Sequence, residues 1–145
     1  MKRFQYTAFV SKSQDQQPGI AFIYQDILPV KDIHVLQPGR LLQIYIEDGP
    51  SFVNVYAPSG SQGRAARRIL FSDTLFRNLS NKANLPYLIG DFNCVINRQD
   101  TVENFNNKNC PALSDLVNTF SYSDGFRLLS PQAIEFTYSS PGAFP

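Results

Sequence analysis

Asp91 and Asn93 stand two residues apart in Gly90-Asp91-Phe92-Asn93, directly after the apolar run Leu85-Pro86-Tyr87-Leu88-Ile89. On an extended backbone, residues i and i+2 face the same side. The spacing therefore predicts a carboxylate and a carboxamide reaching toward one ligand, with Phe92 turned back into the core. That pair suits a phosphate, a metal-bound water or an attacking hydroxide. Gly, Asp and Asn also favour turns, so the same four residues equally describe a strand running into a turn. Asn54-Val55-Tyr56-Ala57-Pro58 has the same character. Asn54 and Tyr56 share a face by alternation, and Pro58 stops the strand ladder. A phenol at a strand end donates a hydrogen bond to a phosphate oxygen or acts as an acid; the plainer reading is an ordinary sheet tyrosine. Asp100 follows Asp91 across a polar stretch, and Thr137 lies in Phe136-Thr137-Tyr138. Taken singly, a loop carboxylate and a strand threonine carry little.

The elements that must hold these residues follow from periodicity. Ser11 to Gly19 is polar and predicts a loop. Gly19 to Tyr24 predicts a buried strand, and Ile33 to Leu36 a short one. Gln37-Pro38-Gly39 is a turn. Leu42, Ile44 and Ile46 alternate with Gln43, Tyr45 and Glu47, the pattern of a half-buried strand. With the turn Glu47 to Pro50 and a strand from Ser51 to Tyr56, this makes a β-hairpin. A helix is expected over Gln62 to Ser80, capped by Ser61, with Ala65, Ile69, Phe76 and Leu79 as its apolar stripe. Arg64, Arg67, Arg68 and Arg77 read as its solvated face. Leu85 to Ile89 is a buried strand, and Val95 to Asn109 a long polar loop. Pro111 opens a second helix, whose stripe is Leu113, Leu116, Val117 and Phe120. Asp124-Gly125 ends it, and Phe126 to Leu129 and Glu135 to Tyr138 read as short strands. This order predicts an α/β domain with at least one mixed sheet and helices on its outer face.

A chain of 145 residues suits one domain, here 1–145, and 43% apolar residues with 12 Phe and 7 Tyr can fill a core. Charged residues make up 17%, which argues against disorder. The net charge of +1 excludes nucleic-acid binding by global attraction and leaves only a local groove. Cys94 and Cys110 show neither metal-ligand spacing nor a disulfide framework, which fits a reduced, intracellular setting. No apolar run approaches the roughly 18 residues of a membrane span, so no membrane partner is expected.

In order, Asn54-Val-Tyr-Ala-Pro, a helix, Gly90-Asp91-Phe92-Asn93, Asp100 and Glu135-Phe136-Thr137-Tyr138 resemble the endonuclease/exonuclease/phosphatase superfamily. Within it the chain is most similar to the apurinic-type endonuclease domain of LINE-type (non-LTR) retrotransposons, from about Tyr6 to Pro145. The resemblance implies a four-layer α/β sandwich of two face-to-face sheets with outer helices. It implies that Asp91 orients or deprotonates the attacking water. Asn93 bonds the scissile phosphate and steadies Asp91, while Tyr56 contacts the phosphate or assists the leaving oxygen. Asp100 supports the loop and a catalytic histidine, Thr137 lies by the DNA backbone, and Asn54 supports the site. Mg²⁺ (or Mn²⁺) is the implied cofactor, and DNA and a downstream reverse transcriptase domain are the implied partners. Action in the nucleus is implied for an intact element.

The pattern also departs from the family. The strands carrying an Asn and the metal-binding Glu would precede Met1, and those carrying a further Asp and the catalytic His would follow Pro145. His34, the single histidine, matches no catalytic position. The expectation is an incomplete sandwich that binds Mg²⁺ weakly, through Asp91, and is inactive or nearly so. Exposed sheet edges would make it marginally stable or aggregation-prone. Two alternatives stand beside this: a non-catalytic retrotransposon relic, binding nucleic acid weakly through Arg64, Arg67, Arg68 and Lys108 or not at all, and another phosphodiesterase or phosphatase of the superfamily.

Overall fold

The structure, a computed structural model, describes residues 5–13, 19–102 and 104–134. They fall into two compact units, Met1–Asn93 and Cys94–Pro145. The fold is α/β with one antiparallel and one mixed sheet.

In the first unit, β1 (Tyr6–Ser11) and β2 (Ile20–Gln25) form an antiparallel pair. The second sheet runs in the order β3 (Val30–Gln37), β4 (Leu41–Ile46), β5 (Ser51–Tyr56), β6 (Tyr87–Asp91). Its first three strands are antiparallel, and β5 and β6 are parallel. The expected hairpin is β4–β5, closed at Asp48 with φ 52°. Three sequence expectations need correction. The strand at Ile20 is not buried along its length, since Ile23 is 72% exposed. The strand expected at Leu85 to Ile89 is an exposed sheet edge, with Tyr87 62% exposed. Conversely, β4 is covered on both faces: Gln43 is as buried as Leu42. The reason is layering around β4 and β5, which alternation along one strand does not report. Leu42 and Asn54 are cross-strand partners on one face, and Leu41 and Val55 on the other. β2 packs across β4 and β5, and Asn54 Nδ2 donates to the Ala21 carbonyl of β2 (3.0 Å).

The long helix starts at Arg64, two residues later than expected, and Ser61 contributes no side-chain cap. Its parts are α1 (Arg64–Ile69), a π-helical stretch (Leu70–Leu75) and α2 (Phe76–Ser80). The wider π turn shifts the period partway along, so a stripe drawn at uniform spacing keeps Leu79 on the buried face but wrongly puts Ala65 and Ile69 there. The buried residues are Leu70, Phe71, Leu75 and Leu79, whereas Ile69 is 54% exposed. Arg67 is also buried, not solvated. Its Nη1 donates to the Pro58 and Gly60 carbonyls and fixes the loop leaving β5.

The second unit replaces most of the expected polar loop with local structure. A 3₁₀ turn (Arg98–Asp100) and α3 (Phe105–Lys108) lie inside a bridge between Val95 and Asn109. Then come α4 (Pro111–Thr119), opened by Pro111 as expected, and α5 (Gly125–Leu129). Ala112, Leu113 and Leu116 are the buried face of α4. Asp124 does not end α4; Oδ1 accepts from the Phe126 and Arg127 amides and caps α5. An Asp that satisfies two first-turn amides starts a helix, so Phe126–Leu129 is helical where a strand was expected. Burial pushes the Tyr122 phenol up to about 12. Between pH ~10 and ~12 the unfolded chain therefore loses this proton first, and stability should fall as pH rises through that window. Alkaline titration followed by tyrosinate absorbance should show one late-titrating phenol, removed by Tyr122→Phe; a Tyr122→Phe profile identical to wild type would contradict the burial.

Candidate functional site

The C-terminal ends of β5 and β6 bring the predicted residues together. Their parallel register places Tyr56 opposite Asp91 and Asn54 opposite Ile89. Parallel partners share a face, so the register brings Tyr56 and Asp91 to the same end of the sheet. Gly90 permits this. Its φ is +122°, and a side chain there would overlap the Val55 carbonyl and lie 2.7 Å from Asn54 Oδ1. The Ala57 amide donates to the Asp91 carbonyl (2.8 Å), which continues the pairing one residue beyond β5.

Asp91 and Asn93 converge by a different route from the one alternation predicts. β6 stops at Asp91, and Asn93 has φ 50°, so the chain is no longer extended there. The Asn93 amide donates to Asp91 Oδ1 (2.9 Å), an Asx turn. The Asn93 side-chain Nδ2 donates to the Ala57 carbonyl (2.8 Å), tying the turn to the end of β5. Phe92 turns inward as expected and stacks on Phe71, with ring centroids 6.1 Å apart. The Asp91 carboxylate is thus oriented by its own backbone and remains exposed.

One residue of this end was not legible in the sequence. Arg40 follows the turn Gln37 to Gly39, where Gly39 has φ 66° and donates its amide to the buried Ser11 Oγ (3.1 Å). The Tyr56 amide donates to the Arg40 carbonyl (2.8 Å), and the Arg40 guanidinium lies 5.0 Å from the Tyr56 ring centroid. A Gly-Arg pair leaving a turn is common, and only strand register shows which residue it will face.

The remaining site residues lie elsewhere. Asn54 spends its Nδ2 on Ala21. Asp100, in the second unit, is bound by the Arg127 guanidinium. Thr137 and the strand expected from Glu135 to Tyr138 lie outside the described residues. His34 is on β3, at the edge of the sheet opposite β6, with Nε2 2.7 Å from Asp32 Oδ2. The hydrogen bond from His34, seconded by the Ile33 amide, holds the Asp32 carboxyl below its ordinary value.

Among the described residues, Asp91 is the carboxylate that the ends of β5 and β6 offer to an Mg²⁺ ion. A hard divalent cation takes about six oxygen ligands, and Asp91 brings one carboxylate whose Oδ1 already accepts from Asn93. Among the described residues no group of three or more His, Cys, Asp or Glu side chains could hold a metal ion. Nor is any helix among them long and apolar enough to cross a membrane. No protein-family model, curated protein or solved structure matches this chain.

Proposed function

We propose that the ends of β5 and β6 are the water-and-phosphate part of a phosphodiester-cleaving centre, of the kind found in metal-dependent DNA endonucleases of LINE-type elements. The observation that carries the reading is Tyr56, Asp91 and Asn93 meeting at the ends of two parallel strands, with Asp91 held by the turn it shares with Asn93. Phosphodiester hydrolysis needs an in-line oxygen nucleophile and donors on the phosphoryl oxygens. In this reading Asp91 orients the attacking water and accepts its proton. The Tyr56 phenol donates to a phosphoryl oxygen, and Asn93 fixes the carboxylate through its backbone amide. A four-layer sandwich, Mg²⁺ or Mn²⁺, DNA, a reverse transcriptase domain and nuclear action belong to the same reading of an intact element. With one carboxylate at the site, the chain itself should nick DNA only barely.

The relic alternative has an observation of its own: the contacts of Asp91 and Asn93 are those a structural turn needs. The nucleic-acid face suggested for it is one cation smaller, because Arg67 is buried against backbone carbonyls. A plasmid-nicking assay with Mg²⁺ separates the readings. Long incubation should give a trace of nicked product with the wild-type chain and at least about tenfold less with Asp91→Ala, the scale of a lost general base. Equal residual nicking by both would end the catalytic assignment.

A further inference from the structure

We propose that Arg40 is a phosphate-binding residue of this same site, a role that rests on reading the strand ends as a phosphodiester centre. The Tyr56 backbone links Arg40 to Asp91. Its amide is bonded to the Arg40 carbonyl on one side, and its Cα pairs with Asp91 on the other. Arg40, in the turn that leads into β4, thus stands beside Tyr56 on β5, which in turn pairs with Asp91 on β6, and neighbouring strands lie ~4.8 Å apart. The guanidinium stacks on the Tyr56 ring, 5.0 Å from its centroid, so cation and phenol share a face. Arg40 Nη1 also donates to the Tyr56 carbonyl (3.4 Å).

The chemistry of the site calls for this cation. Asp91 is an anion, and Tyr56 and Asn93 are neutral, so Arg40 supplies positive charge to a phosphate monoanion held beside a carboxylate. A planar guanidinium presents five N–H donors, so it can contact a phosphate oxygen while keeping its other bonds. The side chain is also placed rather than floating. It is half-buried, and its turn is pinned: a Cβ on Gly39 would sit 2.6 Å from the Ser13 amide nitrogen. The ligand class is a phosphodiester, either within a nucleic-acid strand or as a small molecule.

The test titrates a fluorescent DNA duplex into the full chain across a range of salt. Arg40→Ala should weaken binding on the order of tenfold and reduce the salt slope by about one, as for one lost phosphate contact. Arg40→Lys should retain the slope while losing part of the affinity. Lys31→Ala, at an exposed position of β3, serves as the comparison and should leave the slope closer to wild type. Urea melts show which variants fold, and Arg40→Gln, which retains amide donors without charge, substitutes if Arg40→Ala does not. An uncharged variant with the wild-type slope overturns the proposal while leaving the site reading intact. If the wild-type chain binds no duplex, the DNA reading fails, and inorganic phosphate decides on Arg40 alone. A saturable shift of its Nε–H resonance then upholds phosphate binding, and an unmoved resonance overturns it.

Discussion

Gly90→Ala should cost the 1–93 unit about 2–6 kcal/mol. Two independent terms give that range. A side chain at a φ of +122° is strained whatever space surrounds it, worth about 1–3 kcal/mol. The added carbon also collides with the Val55 carbonyl and lies 2.8 Å from the Val55 amide nitrogen; overpacking of that kind costs about 1–3 kcal/mol more. Backbone is the obstacle on both counts, so no rotamer change relieves it. Against a total stability of about 5–15 kcal/mol for a domain, much of the population would unfold. Gly60→Ala is the comparison. Gly60 also has a positive φ, of 68°, but nothing lies within 4 Å of where its Cβ would be. It should lose only the conformational part. Urea melts followed by circular dichroism would show a clear drop in midpoint for Gly90→Ala and a smaller one for Gly60→Ala. Equal losses at the two glycines would mean that the close approach of β6 to β5 is not what holds this sheet edge.

That approach links stability to the site. Tyr56 and Asp91 are partners only while β6 stays in register with β5, and Gly90 pairs with Val55 immediately before them. A Cβ at Gly90 would push the strands apart next to the residues proposed to act on the phosphate. A variant folded under stabilising conditions should therefore still lose whatever phosphate binding Tyr56 shares with Arg40.

What was legible in the sequence depended on whether the signal was local. The β4–β5 hairpin, the Pro111 helix start and the inward turn of Phe92 each rest on a few adjacent residues, and each is present. β1 was not foreseen. It sits mostly exposed, so it lacks the apolar alternation that marks a half-buried strand. The helix was placed correctly and Leu79 lies on its buried face, but Ala65 and Ile69 do not, since the π stretch changes the period between them and Leu79. Asp124-Gly125 has the composition of a turn, and only the amides beyond it show that it is a cap. At the candidate site, the placement of Tyr56 and Asp91 at strand ends was readable from type and spacing, whereas the turn by which Asn93 meets Asp91 was not. Arg40 was not, because its relation to Tyr56 is a matter of register between β4 and β5. Arg67 was misread for a related reason: a charge on a helix reads as solvated unless the carbonyls that satisfy it are known.

In the second unit, breaking the Asp100–Arg127 pair should be the costliest single change. Arg127 donates through Nε (3.0 Å) and Nη2 to Asp100 Oδ1, and through Nη1 to the Ala133 carbonyl (2.6 Å). The guanidinium also lies 5.4 Å from the Phe126 ring centroid. One side chain thus joins the 3₁₀ turn to α5 and to the segment after it. The two side chains are only 13% and 22% exposed, so removal of one partner strands the other largely away from water. A fully buried pair broken this way costs about 3–5 kcal/mol; the residual exposure here reduces that to about 2–4 kcal/mol. The two halves of the pair are not equivalent. Arg127→Met leaves both the Asp100 carboxylate and the Ala133 carbonyl without their donor. Asp100→Ala leaves Arg127 its carbonyl and its ring contact, so the loss should be smaller. A double-mutant cycle should give a coupling of about 1–3 kcal/mol, and hydrogen exchange at the Phe126 and Arg127 amides should quicken in both single variants as α5 loosens. Additive single and double variants would show that Asp100 does not depend on this contact.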